Sequence, residues 1–379
     1  MKICFVVASP MTAIAFLRPH FEALQPRHSV RLAVNAPEPE SLRSRGVTVP
    51  VDVVPIERPV RPFRDLRALV ALYKLFRLHR FEVVHSVTPK AGLLTALAGL
   101  LARVPVRVHI FTGQVWATRT GPSRWFLKAL DRLIASSNTH LLVDSGSQRD
   151  FLVAEGVVDE RRAFVLAHGS IVGVDTKRFR PDPVARERVR EALGIRKDGL
   201  VVLFLGRLNH DKGIRDLAGA FARLAQRLPQ SWLVLVGADE DGMTDIVQKT
   251  CANVMDRVRF VDFTDRPEDY VAAADVFCLP SYREGFGSSV IEAAACGVPA
   301  VASRIYGVTD AVEDGVTGLL HPPGDVPTMV AHLERLLSDT SMRREMGRAA
   351  LRRASARFEQ SLVTDALCEF YDTLELERA

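Results

Sequence analysis

Twice along this chain, short uninterrupted apolar runs alternate with segments of helical periodicity, and no other feature narrows the fold so far. The first series places candidate strands at residues 3–7, 30–34, 51–54, 81–85, 106–111 and 141–143. The second places them at 200–205, 232–236, 258–261, 276–279, 300–302 and 318–320. The runs are continuously apolar rather than alternating, which is how parallel strands covered on both faces read. Two such series predict two doubly wound, Rossmann-like α/β domains of parallel sheet, facing each other across a cleft. A length of 379 residues agrees, because one ordinary core does not grow that large. We expect an N-terminal domain over 1–174 and a C-terminal one over 175–358. A final helix within 359–379, carrying Leu362, Leu367, Phe370 and Leu374, is expected to pack back toward the first domain. Ligands of open parallel sheets bind beyond the carboxyl ends of the strands, so the loops after strands deserve the closest reading.

The most informative loop follows the run at 276–279. Glu284-Gly285-Phe286-Gly287-Ser288 opens a helical stretch that includes Glu292 and three alanines. Exposed N–H groups at a helix start attract anions, and glycines let a ligand approach the main chain. A carboxylate beside them accepts hydrogen bonds from hydroxyls. A phosphate-bearing, hydroxyl-rich ligand satisfies both halves, and a sugar nucleotide is one. Glu292 lies among apolar neighbours, where a charge needs a partner. After the run at 200–205 come Gly206, Arg207, Asn209, His210, Asp211, Lys212 and Gly213. Arg207 and Lys212 are two cations at a strand end, placed to stabilise a diphosphate as its bond to a sugar breaks. The competing reading is two surface cations, with Asp211 pairing Lys212.

Net charge is +5, but unevenly shared: residues 1–174 carry +10 and the remainder −5. The basic half is expected to meet an anionic partner. Cys4, Cys251, Cys278, Cys296 and Cys368 show no paired metal spacing and mostly sit in apolar runs, so we read no disulfide framework and a reducing compartment. Ser9-Pro10 breaks the first apolar run after a strand's length, which argues against a signal peptide. The longest apolar segment, 91–101, is too short to span a bilayer.

Taken in order, Arg207 with Lys212-Gly213, Pro280-Ser281-Tyr282-Arg283-Glu284-Gly285-Phe286-Gly287, Glu292-Ala293, Cys296-Gly297-Val298-Pro299, Asp314-Gly315-Val316-Thr317-Gly318 and Pro322-Pro323-Gly324-Asp325 resemble a retaining glycosyltransferase of the GT-B fold, family 4. Pro89-Lys90-Ala91-Gly92 and Thr112-Gly113-Gln114-Val115-Trp116 look like the branch that builds bacterial surface glycans on lipid carriers. The resemblance implies that Arg207 and Lys212 grip the donor diphosphate and that Glu284 contacts the donor sugar. Gly285, Phe286, Gly287 and Ser288 would offer backbone N–H groups, with Gly206 also at the donor, and Glu292 would bind the ribose. It also implies no metal and no cofactor, the nucleotide sugar being a substrate. The one Asp-x-Asp, Asp239-Glu240-Asp241, lies beyond the end of the run at 232–236 rather than at it and is read as an acidic run, not a metal site. The chain departs from the family where a glycine pair is usual after the first strand: here stand Ala8, Ser9, Pro10, Met11 and Thr12, so the Ser9 and Thr12 hydroxyls are expected to contribute. A family histidine is replaced by Thr112 before Gly113, leaving His109, three residues upstream, as its substitute. Ser9, Thr12, Thr112, Gly113 and His168 are expected to meet the acceptor or line the cleft.

From 58 to 80, Arg58, Arg61, Arg64, Arg67, Lys74, Arg77 and Arg80 oppose a single acid, Asp65, with Leu66, Leu69, Val70, Tyr73 and Phe76 between them at helical spacing. That describes an amphipathic basic helix suited to an anionic membrane surface. Arg119, Arg124, Lys128 and Arg132, with Trp116, Trp125 and Phe126, extend the surface or bind a pyrophosphate-linked acceptor. The expectation is therefore a retaining, metal-independent transferase at the cytoplasmic face of a membrane. It would move sugar from a nucleotide sugar, a UDP-sugar, to a polyprenyl-diphosphate-linked glycan, with no nucleic-acid partner. The alternatives are a soluble acceptor such as a sugar phosphate, a non-catalytic nucleotide-sugar-binding module, and a dinucleotide oxidoreductase; the last lacks its glycine fingerprint after an early strand.

Overall fold

The computed structural model describes residues 1–57 and 59–377. It divides into two units, Met1–Val172 with the segment from Gln360 onward, and Gly173–Glu359.

The first unit holds a seven-stranded sheet. Its strands are β1 (Lys2–Val7), β2 (Ser29–Val34), β3 (Val51–Val53), β4 (Val83–Val87), β5 (Val106–Phe111), β6 (His140–Val143) and β7 (Ala163–Val165), in the order β3-β2-β1-β4-β5-β6-β7. Every pairing is parallel. β1 shows why: Ile3, Cys4, Phe5, Val6 and Val7 are all fully buried, so both faces of the strand need cover. On one face lie the helices Pro62–His79 and Pro89–Ala102. On the other lie Arg18–Leu24 and the C-terminal helix Gln360–Leu376, whose Val363, Leu367, Tyr371 and Leu374 join Phe5 and Phe21 in one core. Tyr371 and His85 are hydrogen-bonded at 2.8 Å within it. Leu362, expected on the inward stripe of this helix, is 40% exposed, and Val363 takes that place.

The second unit holds six parallel strands: β8 (Leu200–Leu205), β9 (Ser231–Val236), β10 (Val258–Val261), β11 (Val276–Leu279), β12 (Ala300–Ser303) and β13 (Gly318–His321). Their order is β10-β9-β8-β11-β12-β13. In both sheets the order reverses beside the first strand, between β1 and β4 and between β8 and β11. Such a switch point leaves a crevice at the carboxyl edge.

The twelve strands read from the sequence are all present. The thirteenth, β7, was missed: it is a three-residue edge strand with Phe164 largely exposed, so it carries no buried apolar run. β4 also begins and ends two residues later than expected. His85 and Ser86 interrupt its apolar pattern, and both are buried because they find hydrogen bonds there.

Candidate functional site

In the second unit, the residues singled out from the sequence converge on the carboxyl ends of β8 and β11, neighbours in the sheet. After β8 the chain passes Gly206 and Arg207 into a single tight turn, His210–Lys212. Asn209 caps that turn, its side-chain oxygen accepting from the Lys212 N–H at 3.2 Å. Gly213 then takes φ +68°, and a Cβ there would lie 2.1 Å from the Pro280 carbonyl oxygen. This contact, with the Tyr282 N–H donating to the Asp211 carbonyl at 2.8 Å, seats the loop after β8 directly on the loop after β11. Gly307 repeats the device, since its Cβ would meet the Gly285 carbonyl oxygen at 2.3 Å.

Backbone packing that close fixes the charged side chains. Lys212 forms a short ion pair with Glu284, both side chains mostly buried. Ser281 donates its hydroxyl to the same carboxylate at 2.8 Å. Asp211 turns away from Lys212 and pairs Arg283 at 2.5 Å, so the reading in which Asp211 neutralises Lys212 is corrected. Arg207 stays half exposed and pairs Glu240 at 2.8 Å. The rest of the acidic run serves the local fold. Asp239 accepts from the N–H groups of Met243 and Thr244 at the start of the helix Met243–Thr250, and Asp241 accepts from the His210 N–H at 3.0 Å.

The glycine turn opens the helix Ser288–Ala295 with Gly287 at φ +87° and no side-chain cap, so the Ser288 and Ser289 N–H groups are available at its start. Phe286 is buried and packs edge-on against Phe358, 5.2 Å between ring centres. Its side chain anchors the turn. Glu292 sits one helical turn beyond Ser288. No donor among the described residues reaches its carboxylate. Desolvation pushes its pKa up to about 7, opposed by Arg178 and reinforced by Glu268. The partner expected from the sequence is thus not found among the described residues.

In the first unit, Ser9 starts a short helical turn, Pro10–Thr12, without spending its side chain on a cap. Thr112 and Gly113 follow β5 at the sheet's carboxyl edge, with the Thr112 carbonyl accepting from Gln148 at 2.7 Å. His168 is exposed in the turn after β7. His109 is not at that edge. It is 1% exposed, hydrogen-bonded to the Ser86 hydroxyl at 2.9 Å and packed against Gly92, where a Cβ would lie 2.4 Å from its ring. Burial pulls its pKa down to about 3. Two residues short of the end of β5 at Phe111, it belongs to the core, and its expected contact with the donor is corrected on that ground. The sequence reading named Ser281 and Glu240 but not their pairings with Glu284 and Arg207. Only the Asn209 cap, a polar residue before a turn, had a local signal.

A family model described as glycosyl transferases group 1 matches residues 185–353, and one described as a glycosyl transferase 4-like domain matches residues 16–169. The capsular polysaccharide biosynthesis glycosyltransferase CapM of Staphylococcus aureus is 27% identical, over 77% of this chain and 76% of that protein. The UDP-Gal:alpha-D-GlcNAc-diphosphoundecaprenol alpha-1,3-galactosyltransferase of Escherichia coli is 27% identical, over 69% and 67%. The D-inositol 3-phosphate glycosyltransferase of Kribbella flavida is 37% identical, over 48% and 45%. Among solved structures, Anabaena Alr3699/HepE in complex with UDP and glucose superposes with a TM-score of 0.82 at 22% identity, covering 98% of this chain and 100% of that one.

Proposed function

The chain belongs to the glycosyltransferases of the GT-B type, and from that premise we propose that it is a retaining, metal-independent enzyme. It carries a sugar from a UDP-sugar to a glycan on a polyprenyl diphosphate. The observation that carries the donor half is the pairing of a neutralised cation–acid couple, Lys212 with Glu284, beside an uncapped helix start and an unpartnered Glu292. A diphosphate arriving at the helix start takes Lys212 and Arg207 as counter-charges, and Glu284, released from Lys212, accepts from sugar hydroxyls. Glu292 accepts from the ribose diol. The Lys212, Arg207 and helix-start N–H contacts strengthen as the leaving diphosphate gains charge, and only such contacts lower the barrier. The acceptor hydroxyl attacks the face the diphosphate leaves. Its proton passes to the departing phosphate oxygen, so no separate base is needed. Asp239, Glu240 and Asp241 are each committed to a protein partner, which supports a mechanism in which cations rather than a metal take the diphosphate charge.

For the acceptor half, the reading rests on the galactosyltransferase acting on a diphosphoundecaprenol carrier and on the outer face of the helix Pro62–His79. Among the described residues no helix is long and apolar enough to cross a membrane. Yet on this helix Phe63, Leu66, Val70 and Tyr73 stand exposed, Phe63 at 91%. Ala68, Leu72 and Phe76 form its buried face. The expected stripe is therefore split: Phe76 points inward, while Leu66, Val70 and Tyr73 point out among Arg67, Lys74 and Arg77. Arg58 lies outside the described residues. Arg61 and Arg64 pair with Glu57. An exposed face that is both apolar and basic suits an anionic membrane surface, and we place the enzyme there, on the cytoplasmic side.

The second reading is a soluble acceptor, favoured by the D-inositol 3-phosphate glycosyltransferase, whose identity is the higher over a shorter span. One experiment separates them. UDP-sugars are screened for thermal stabilisation in excess EDTA, and the stabilising one is then offered with prenyl-diphosphate glycans and with inositol phosphate. Transfer to the prenyl acceptor with retained anomeric configuration is expected. Inversion, dependence on added Mg²⁺ or Mn²⁺, or exclusive use of inositol phosphate would each overturn the corresponding part.

A further inference from the structure

At the carboxyl edge of the first unit's sheet, two buried polar atoms have no hydrogen-bond partner among the described residues. One is Oδ1 of Asp144, which follows β6 and is only 5% exposed; the other is Oγ1 of Thr88, which follows β4. β5 runs between these strands, so the two residues lie two strand spacings apart, about 10 Å.

Both residues are held where they are at a cost. Thr88 adopts φ 78° and ψ 145°, a region that only glycine enters freely, and such strain collects at functional sites. Asp144 is fixed through its backbone. Its N–H donates to the Gln148 side chain at 2.7 Å, and that side chain donates on to the Thr112 carbonyl at 2.7 Å. Its carbonyl accepts from the Ser170 N–H at 2.6 Å, and Ser170 itself carries φ 73°. The backbone is thus satisfied on both sides while the carboxyl is left dry, and desolvation pushes its pKa up to about 8. A buried polar atom without a partner destabilises the fold that contains it. Among the described residues no partner reaches Asp144 Oδ1, and the backbone bonds on either side of it do not involve the carboxyl.

We propose that Asp144 and Thr88 read hydroxyls of the acceptor sugar, with Asp144 as the specificity-determining residue. The proposal rests on assigning the first unit to the acceptor. A hydroxyl and a mostly neutral carboxyl each both donate and accept, which matches sugar hydroxyls. The flanking Thr112 and Gly113, already singled out for the acceptor, lie between the two.

The test compares the full-length chain with Asp144→Asn, Asp144→Ala and Thr88→Gly, using thermal unfolding, donor hydrolysis without acceptor, and transfer to N-acetylglucosaminyl diphosphate on a short prenyl chain. Expected are an unchanged or raised Tm, donor hydrolysis within about twofold of the parent, and an acceptor KM raised at least about tenfold for Asp144→Ala, where a tenfold change is one logarithmic unit of affinity. A lower Tm on Asp144→Asn means the carboxyl is structural and overturns the proposal whatever the acceptor. So does an unchanged acceptor KM. A parent enzyme that hydrolyses donor but transfers only to inositol phosphate sinks the lipid-carrier reading instead, and the same comparison made on inositol phosphate then decides the role of Asp144.

Discussion

Lys212 and Glu284 neutralise each other across 72 positions of sequence, so replacing either one acts on both. Lys212→Met is expected to lower kcat/KM more than tenfold, about 1.4 kcal/mol of barrier. Part of the effect on folding is the mostly buried Glu284 left without its cation. The double variant Lys212→Met with Glu284→Gln should therefore resist denaturant better than Lys212→Met while turning over no faster. Near-parental turnover in either would remove the charge from the mechanism. Glu292 gives a pH signature. Its folded pKa, about 7, stands above the ordinary glutamate value of 4.5, so between those values the folded chain holds a proton the unfolded chain has lost. Its contribution is most favourable on the acid side and is lost as pH rises through 7. Glu292→Gln should therefore be more stable than the parent at pH 8, with the gap closing toward pH 5, as read from urea midpoints. It should also bind donor more weakly at pH 8, where the parent carboxylate is ionised. The four candidates Arg207, Lys212, Glu284 and Glu292 stand out in the sequence because a strand end, a glycine turn and a short spacing mark them. Their partners were not: Asp211 chooses Arg283 over its neighbour Lys212, and no local pattern records a choice made between loops 72 residues apart.

At the level of elements, glycine contacts join the loops that carry Arg207, Lys212 and Glu284. Gly213 and Gly242 share φ +68°, but a Cβ on Gly213 strikes the Pro280 carbonyl whereas one on Gly242 meets open space. Gly242→Ala should show only the cost of a left-handed alanine, about 1 kcal/mol. Gly213→Ala should lose clearly more in chemical denaturation, and donor turnover with it, because the loops after β8 and β11 must separate. Equal losses would mean the joint is not rigid. The helix Pro62–His79 makes a different claim. Replacing Arg67, Lys74 and Arg77 with Gln, none of which has an ion-pair partner among the described residues, should weaken binding to anionic vesicles by a few kcal/mol at most, at about 1 kcal/mol per charge. Binding should also fall with salt, while turnover of a short-chain acceptor stays near parental. Equal binding to neutral vesicles would mark the face as ordinary solvated surface. The sequence showed that this helix is amphipathic but not which face is inward, because apolar residues recur on both sides of it and only packing against the helix Pro89–Ala102 selects Ala68, Leu72 and Phe76.

For the whole molecule, the two-sheet architecture was readable because parallel strands buried on both faces have an unmistakable composition, and β7 escaped because an exposed edge strand does not. The C-terminal helix Gln360–Leu376 is the feature that ties the ends of the chain together: Tyr371 and Leu374 complete a core begun by Ile3 and Phe5. Tyr371→Phe should cost about 1 kcal/mol, one net buried hydrogen bond, plus the penalty for stranding His85. A chain stopped at Glu359 should expose that core and bind a hydrophobic dye, which a melting curve with dye readout would show. The same helix sets a timetable for biosynthesis. The N-terminal sheet leaves the ribosome first but receives its last layer only after all of Gly173–Glu359 has been made, roughly 10–40 s later at about 5–20 residues per second. For that interval the nascent sheet lacks the layer that covers Phe5 and Phe21, so slowed elongation through Gly173–Glu359 should raise the share of nascent chain held by chaperones, as pull-down of stalled ribosomes would show.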